Sequence, residues 1–377
     1  MKRAFALTLA LVAAAFTAAP AGAVAPTDPM AASQQPLSIM RVGAALDLVG
    51  ARPADVPVLV ADTGLDLGHP DLAPRLLGPP APGSDLIGTP APPLTAPDSD
   101  PSDPLGYSGH GTAVAGILAA AWNNGIGGAG VAPNARLIPM RSCWDNDQCY
   151  QYIQADAFNR AIDQFGARVV SMSWLVGAPE PDFVDAIRNH PNTLFVSIPS
   201  GNGGATDAEP DAANRVPCSL DLPNILCVTT SAPNDGLSCG DYGATLVDVA
   251  VPTENSTTTV NGGGFGPTGC ATSYAAPTAA GVATILFGYA PSATAAQVRE
   301  AIIAGARTAP AWQGKSVSGG IVDAVGAVRA LCGKFKCPAK PKCKKKRHHK
   351  KRSAAAAKKK AKKKCKKTKR KKKTARK

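Results

Sequence analysis

The chain has 377 residues, 45% hydrophobic and 18% charged, with ten cysteines and a formal net charge of +14. That length and apolar content exclude a wholly disordered chain and allow a large single core. The net charge averages two unlike parts: from Lys334 onward there are 26 Lys and Arg and no acidic residue, which leaves 15 basic against 27 acidic residues before that point. The sequence therefore divides near Gly333 into an acidic globular portion and a basic appendage.

At the N-terminus, Lys2 and Arg3 precede an apolar run over 4–19, and Ala21-Gly22-Ala23 fits a small-residue cleavage site. Residues 1–23 read as a secretory signal peptide with Val24 as the mature start, because the run is short for a membrane span of about 20 residues. Residues 24–55 are expected to supply a first helix and a surface strand. Residues 56–61 read as a buried strand, 79–104 as a Pro-rich insertion without strands, and 110–122 as a helix. Further short apolar strands are predicted at 136–140, 168–172, 193–198, 224–229 and 246–251. Between the first two of these, 150–165 has helical spacing, with Ile153, Ala157, Ala161, Ile162 and Phe165 on one side. Strands alternating with helices predict an α/β fold with a parallel sheet covered on both faces. Residues 271–290 are apolar enough to resemble a span, but Ser273, Pro277, Thr278 and the Ala and Gly content predict a helix buried in a globular core.

Ten cysteines in an exported chain point to disulfides. Six lie in the globular portion, and the local pairs Cys143–Cys149, Cys218–Cys227 and Cys239–Cys270 are the expected bridges. Each would contribute about 2–4 kcal/mol, and the last sits three residues before Ser273. An even count and export argue against a catalytic cysteine.

Three segments carry chemistry in fixed order: Asp62-Thr63-Gly64 after the first strand, His110-Gly111-Thr112 opening a small-residue helix, and Thr272-Ser273 opening another. A serine hydroxyl is a poor nucleophile until a base accepts its proton, and an imidazole is the suitable base near neutral pH. A carboxylate at the end of a buried strand is costly unless it has a partner, and holding the second nitrogen of a histidine is one such partnership. A helix start at Ser273 aims backbone N–H groups toward developing negative charge. Asn202, in Ser200-Gly201-Asn202-Gly203-Gly204 after an apolar strand, reads by itself as a turn asparagine and is also a candidate second donor for an oxyanion.

These motifs resemble the subtilisin-like serine endopeptidases, the subtilases. Ala61-Asp62-Thr63-Gly64 with His69-Pro70-Asp71-Leu72 resembles their aspartate region, and His110-Gly111-Thr112-Ala113-Val114-Ala115-Gly116 their histidine region. Ala271-Thr272-Ser273-Tyr274-Ala275-Ala276-Pro277 resembles the serine region, Ser200-Gly201-Asn202 the oxyanion asparagine, and Val169-Val170-Ser171-Met172-Ser173 the strand lining the substrate cleft. The resemblance spans 34–331. It implies a three-layer fold with a mainly parallel central sheet flanked by helices, and a catalytic domain at 24–332. The activity it implies is hydrolysis of protein or peptide substrates through an acyl-enzyme. It also implies Asp62, His110 and Ser273 as triad, Asn202 in the oxyanion hole, and Ser173, Trp174, Leu175 and Gly201 along the cleft. The chain departs from the common pattern at Ala271, where glycine is usual, at Ala113, at Thr278-Ala279 and at Trp174-Leu175. None of these belongs to the triad, so the departures bear on substrate preference more than on catalysis. An aspartic-protease reading of Asp62-Thr63-Gly64 fails because no second such triplet occurs.

No cofactor is required for this chemistry. Asp71 matches a position that serves as a calcium ligand in the family, and Asp98, Asp100 and Asp103 cluster in the Pro-rich insertion. Calcium needs six or more converging oxygens, and these acids read as solvated loop residues. The tail at 333–377 is low-complexity Lys, Ala and Cys with no apolar set for a core, so it is expected to be disordered. It would be attracted to anionic cell-surface polymers or lipids. No aromatic interleaving supports sequence-specific nucleic-acid binding. A zinc cluster of Cys332, Cys337, Cys343, His348 and His349 lacks standard spacing. The mature chain is expected to be secreted or cell-surface associated, with no transmembrane segment. The competing function is an inactive subtilase-like surface protein that binds polyanions through its tail.

Overall fold

The computed structural model describes residues 24–50, 53–88, 97–106, 108–144 and 148–334. The expected signal peptide, nearly all of the Lys-rich tail, part of the Pro-rich insertion and four of the five residues of the zinc reading lie outside the described residues. The chain starts with a 3-10 turn, Ala31–Ser33, and two short helices, α1 (Gln35–Ile39) and α2 (Val42–Val49). The surface strand expected in this segment does not form among its described residues. Val42, Ala45 and Leu46 bury a helical i, i+3, i+4 face, and Pro36 sits in the first turn of α1, where its missing N–H costs nothing.

The remaining elements are β1 (Val56–Val60), α3 (His110–Ala119), β2 (Ala135–Leu137), α4 (Gln151–Phe165), β3 (Val169–Ser171) and α5 (Pro181–Arg188). After them come β4 (Leu194–Ser197), β5 (Ile225–Ser231), β6 (Val249–Pro252), β7 (Ser256–Val260), β8 (Gly264–Thr268) and α6 (Ala275–Tyr289). The chain closes with α7 (Ala295–Gly305), β9 (Arg307–Thr308), β10 (Gly320–Ile321) and α8 (Ala324–Lys334). Eight strands form one sheet in the order β2-β1-β3-β4-β5-β6-β10-β9, parallel except for the β9–β10 pair, and β7 and β8 form a separate antiparallel hairpin.

The strand residues divide between two cores by the two-residue period of an extended chain. Val56, Val58 and Val60 join Val196, Val228 and Val251 on the face covered by α2, α3, α6, α7 and α8. Leu59 and Ala61 join Val170, Met172 and Phe195 on the face covered by α4 and α5. Burial on both faces is why the strands read as apolar runs rather than as alternating patterns.

The apolar stretch near 271–290 is α6, whose residues from Ala275 to Gly288 are all buried as it crosses beneath the sheet. A Cβ at Gly281 would lie 2.5 Å from the Cβ of Val131, so small residues permit this close approach. At 15 residues α6 is about 22 Å long, and no helix of the described residues is long and apolar enough to cross a membrane. The order and parallel direction of β1, β3 and β4 put the segments after them at one edge of the sheet, so Asp62, Ser173 and Ser200-Gly201-Asn202 emerge side by side. That carboxyl edge is where open parallel sheets bind ligands.

Candidate active site

Asp62 follows β1 directly and is 1% exposed. Its main-chain carbonyl accepts from the amides of Ser142 and Cys143, each at 3.0 Å, and its Oδ1 accepts from the Thr63 amide at 2.8 Å. His110 Nδ1 lies 2.8 Å from Oδ1 and 3.0 Å from Oδ2. An ionised carboxylate only accepts, so Nδ1 carries the proton and, in the neutral ring, Nε2 carries the lone pair.

His110 opens α3 after Gly109, which stands at φ 63. The helix start comes this close to the Asp62 turn because Gly111 has no side chain; a Cβ there would overlap the Gly64 carbonyl. Across the same contact, the Thr63 hydroxyl accepts from the Gly111 amide at 2.8 Å and donates to Asp103 Oδ1 at 3.0 Å. Asp103 Oδ2 accepts from the Thr112 amide at 3.0 Å and from its hydroxyl at 2.7 Å.

Ser273 sits half-buried in a 3-10 turn, Thr272–Tyr274, that runs into the N-terminus of α6 and packs against α3. Ala271, where the resemblance leads one to expect glycine, has φ −151 and ψ 132, an extended conformation open to any residue. The Ser273 carbonyl accepts from the Ser173 hydroxyl at 2.8 Å, and the Ser273 hydroxyl donates to the Ser173 carbonyl at 3.3 Å. Asn202 Oδ1 accepts from the Thr272 amide at 2.7 Å and from its hydroxyl at 2.9 Å. With its oxygen committed, the exposed Asn202 keeps its NH2 group available to donate.

Of the other cleft residues, Gly201 is exposed and Leu175 is half-buried at the same edge. Trp174 belongs to the cleft segment by its backbone, but its side chain does not line a cleft. The indole N–H donates to the Ala61 carbonyl at 2.8 Å, and the ring is 5% exposed, with its centroid 6.0 Å from that of Phe183 in the core on the α4 side. The acids of the insertion also separate. Asp98 and Asp100 are exposed and accept from loop amides two residues on, whereas Asp103 is buried in the contact just described.

Asp71 is fully buried. Its Oδ1 accepts from Asn124 at 2.6 Å, while Oδ2 has no partner, and burial pushes its carboxyl above the usual carboxylate range. Nearby, Asp28 accepts from the amides of Asn123, Asn124 and Gly125. His69, equally buried, accepts from the Asp71 amide at Nδ1 and lies 2.9 Å from the Gly264 carbonyl at Nε2, which fixes it as a satisfied structural histidine.

The family model described as the Subtilase family matches residues 54–329. The chain belongs to the subtilase family. Among curated relatives this subtilase is similar to the thermophilic serine proteinase of Bacillus sp. (strain AK1), at 32% identity over 61% of this chain and 51% of that one. It is similar also to thermitase of Thermoactinomyces vulgaris, at 31% identity over 60% of this chain and 73% of that one. The chain thus spans about half the length of the first of these relatives. Its fold is similar to that of a protease from Pseudoalteromonas arctica PAMC 21717, with TM-score 0.68 and 27% identity, covering 82% of this chain and 100% of that one.

All three expected disulfides of the subtilase form: Cys143–Cys149, Cys218–Cys227 and Cys239–Cys270. Cys239–Cys270 joins the serine turn to a segment that also holds the Asn202 loop. The Cys239 carbonyl accepts from the Gly204 amide at 3.0 Å, Asp241 accepts from Thr206, and the Asp241 amide donates to the Ser200 hydroxyl at 3.1 Å.

Proposed function

We propose that this subtilase is a serine endopeptidase that hydrolyses peptide bonds through an acyl-enzyme. Ser273 attacks the scissile carbonyl as His110 Nε2 takes its proton, and His110 then protonates the leaving amine. A water follows by the same route to free the acid product. Asp62 holds the imidazole in the required tautomer and stabilises the imidazolium that forms. Asn202 and the Ser273 amide donate to the tetrahedral oxyanion, whose charge exists only near the transition state. The observation that carries this reading is the contact of both oxygens of a buried Asp62 with His110 Nδ1. A fluorophosphonate probe tests it, since labelling should occur in the wild type and be absent in Ser273→Ala. A wild-type protein that stays unlabelled, with or without calcium, would favour the inactive surface protein.

The proposal includes export after cleavage before Val24, which the three disulfides support, and adhesion of the Lys-rich tail to an anionic surface. Protein recovered outside the cell should begin at Val24. Deleting residues 334–377 should abolish salt-sensitive retention on anionic vesicles or polymers while peptide hydrolysis persists. Equal retention without the tail would rule the adhesion out.

No cofactor takes part in the chemistry. A structural calcium ion near Asp71 is a further element of the proposal, supported by the unpartnered Oδ2 of this buried carboxylate beside Asn124 and Asp28. Removing calcium with EDTA should lower Tm by several degrees, about the shift of 1–2 kcal/mol. Asp71→Asn should make Tm indifferent to calcium. A wild-type Tm unmoved by EDTA would exclude the ion.

A further inference from the structure

We propose that Asp103 is a positioning residue that locks the strand end bearing Asp62 to the helix start bearing His110. The inference rests on the catalytic reading above and adds a residue to it. Thr63, next to Asp62, and Thr112, two residues after His110, each use one hydroxyl in two directions. The Thr63 hydroxyl accepts from the Gly111 amide and donates to Asp103 Oδ1, and the Thr112 hydroxyl accepts from the Asp66 amide and donates to Asp103 Oδ2. The Thr112 amide donates to Oδ2 as well.

All these protons run from backbone to hydroxyl to carboxylate, so the ionised form of Asp103 satisfies every member. A protonated Asp103 turns one of its two acceptor oxygens into a donor that faces hydroxyls already donating to it, and one link must turn over. The Asp103 main chain is held too, its amide donating to the Leu65 carbonyl and its carbonyl accepting from Asn261 on the turn after β7.

The ionisable groups facing this cluster are Asp62 and Asp66 from the segment after β1 and His110 from α3. The Asp66 carboxylate accepts from the Gly262 and Gly263 amides. No lysine or arginine among the described residues pairs with Asp103. Burial first, against the hydrogen bonds and with the Asp62 charge adding to it, pushes the Asp103 carboxyl up to about 6. The folded chain therefore holds this proton more tightly than the unfolded one, whose carboxyl titrates near 3.8. Through this group alone, acidification from about pH 6 to 4 stabilises the fold. Any activity lost through Asp103 in that window comes from the loosened contact and not from unfolding.

The test is the pH dependence of kcat/KM for a chromogenic peptide, in full-length wild type and Asp103→Asn, with folding followed by circular dichroism. Protonation of Asp103, on top of that of the general base, should make the wild-type acid limb below pH about 6 steeper than a logarithmic slope of one. Asp103→Asn keeps the shape without the titration, so its slope should be one. Its kcat should fall about tenfold at pH 8 and its KM should stay within about twofold, as expected for lost alignment rather than lost binding. Wild-type kcat in Asp103→Asn, or an acid limb as steep as that of the wild type, overturns the inference. If that variant does not fold, Thr63→Val and Thr63→Ser decide. Valine should cost about tenfold in kcat and serine should restore most of it, while wild-type kcat with valine overturns the inference. A wild type that neither labels with fluorophosphonate nor cleaves peptide fails the catalytic reading instead, which separates the two failures.

Discussion

Ser273→Ala is expected to remove peptide hydrolysis and fluorophosphonate labelling, lowering kcat by about 10⁶, without weakening the fold. The second half of that expectation follows from what the side chain does in the resting protein. Its hydroxyl makes one long bond, 3.3 Å to the Ser173 carbonyl, while the shorter link to Ser173 uses the Ser273 main chain and survives the substitution. The stability change should be under about 1 kcal/mol.

His110→Ala should cost a similar factor in turnover, but it strips the partner from a buried carboxylate. That leaves the Asp62 carboxylate with the Thr63 amide as its remaining donor among the described residues. This variant should lose about 1–3 kcal/mol or more. The double variant should turn over no more slowly than either single one, because nucleophile and base act as a unit. Turnover and thermal unfolding measured on the three proteins check both halves together. Residual activity above about one part in a hundred of wild type in Ser273→Ala, once contamination is excluded, would sink the assignment.

The sheet was legible because its strands are buried on both faces. Residues 56–61 and the five later apolar runs all fall on strands β1 to β6, with ends shifted by at most three residues. The β7–β8 hairpin was not, since Ser256–Val260 and Gly264–Thr268 are Thr- and Gly-rich and mostly half-buried or exposed, with no apolar alternation to read. Its place is set by tertiary bonds, the hydroxyls of Thr258 and Thr259 donating to the Ala113 and Thr112 carbonyls of α3.

The order of the motifs was legible, and the structure brings Asp62 and His110 into contact as that order implies, but the direction of a side chain was not legible. Trp174 looks like a cleft residue until its indole N–H is seen to donate to the Ala61 carbonyl. Asp103 lies in a Pro-rich loop beside two exposed acids, and its Thr63 partner is 40 residues away in sequence. Its position seven residues before His110, ahead of the tight Gly109-His110-Gly111 turn, was the one local hint.

Asn202 separates two roles that a single substitution would confuse. Asn202→Ala removes the NH2 donor and also the oxygen that accepts from Thr272, a buried residue adjoining the nucleophile. It should lower kcat by about 10²–10³ and loosen the serine turn, costing about 1 kcal/mol of stability. Asn202→Asp keeps the acceptor in the same geometry, so the Thr272 amide remains held and stability should be near that of wild type. It loses the donor and sets a negative charge beside the developing oxyanion. Its kcat should therefore fall by at least as much as that of the alanine variant, with KM nearly unchanged, because the lost bond forms only in the transition state. If Asn202→Asp keeps wild-type turnover while Asn202→Ala loses it, Asn202 acts by holding Thr272 and not by donating to the oxyanion. The hole would then have to be completed by backbone amides at the start of α6.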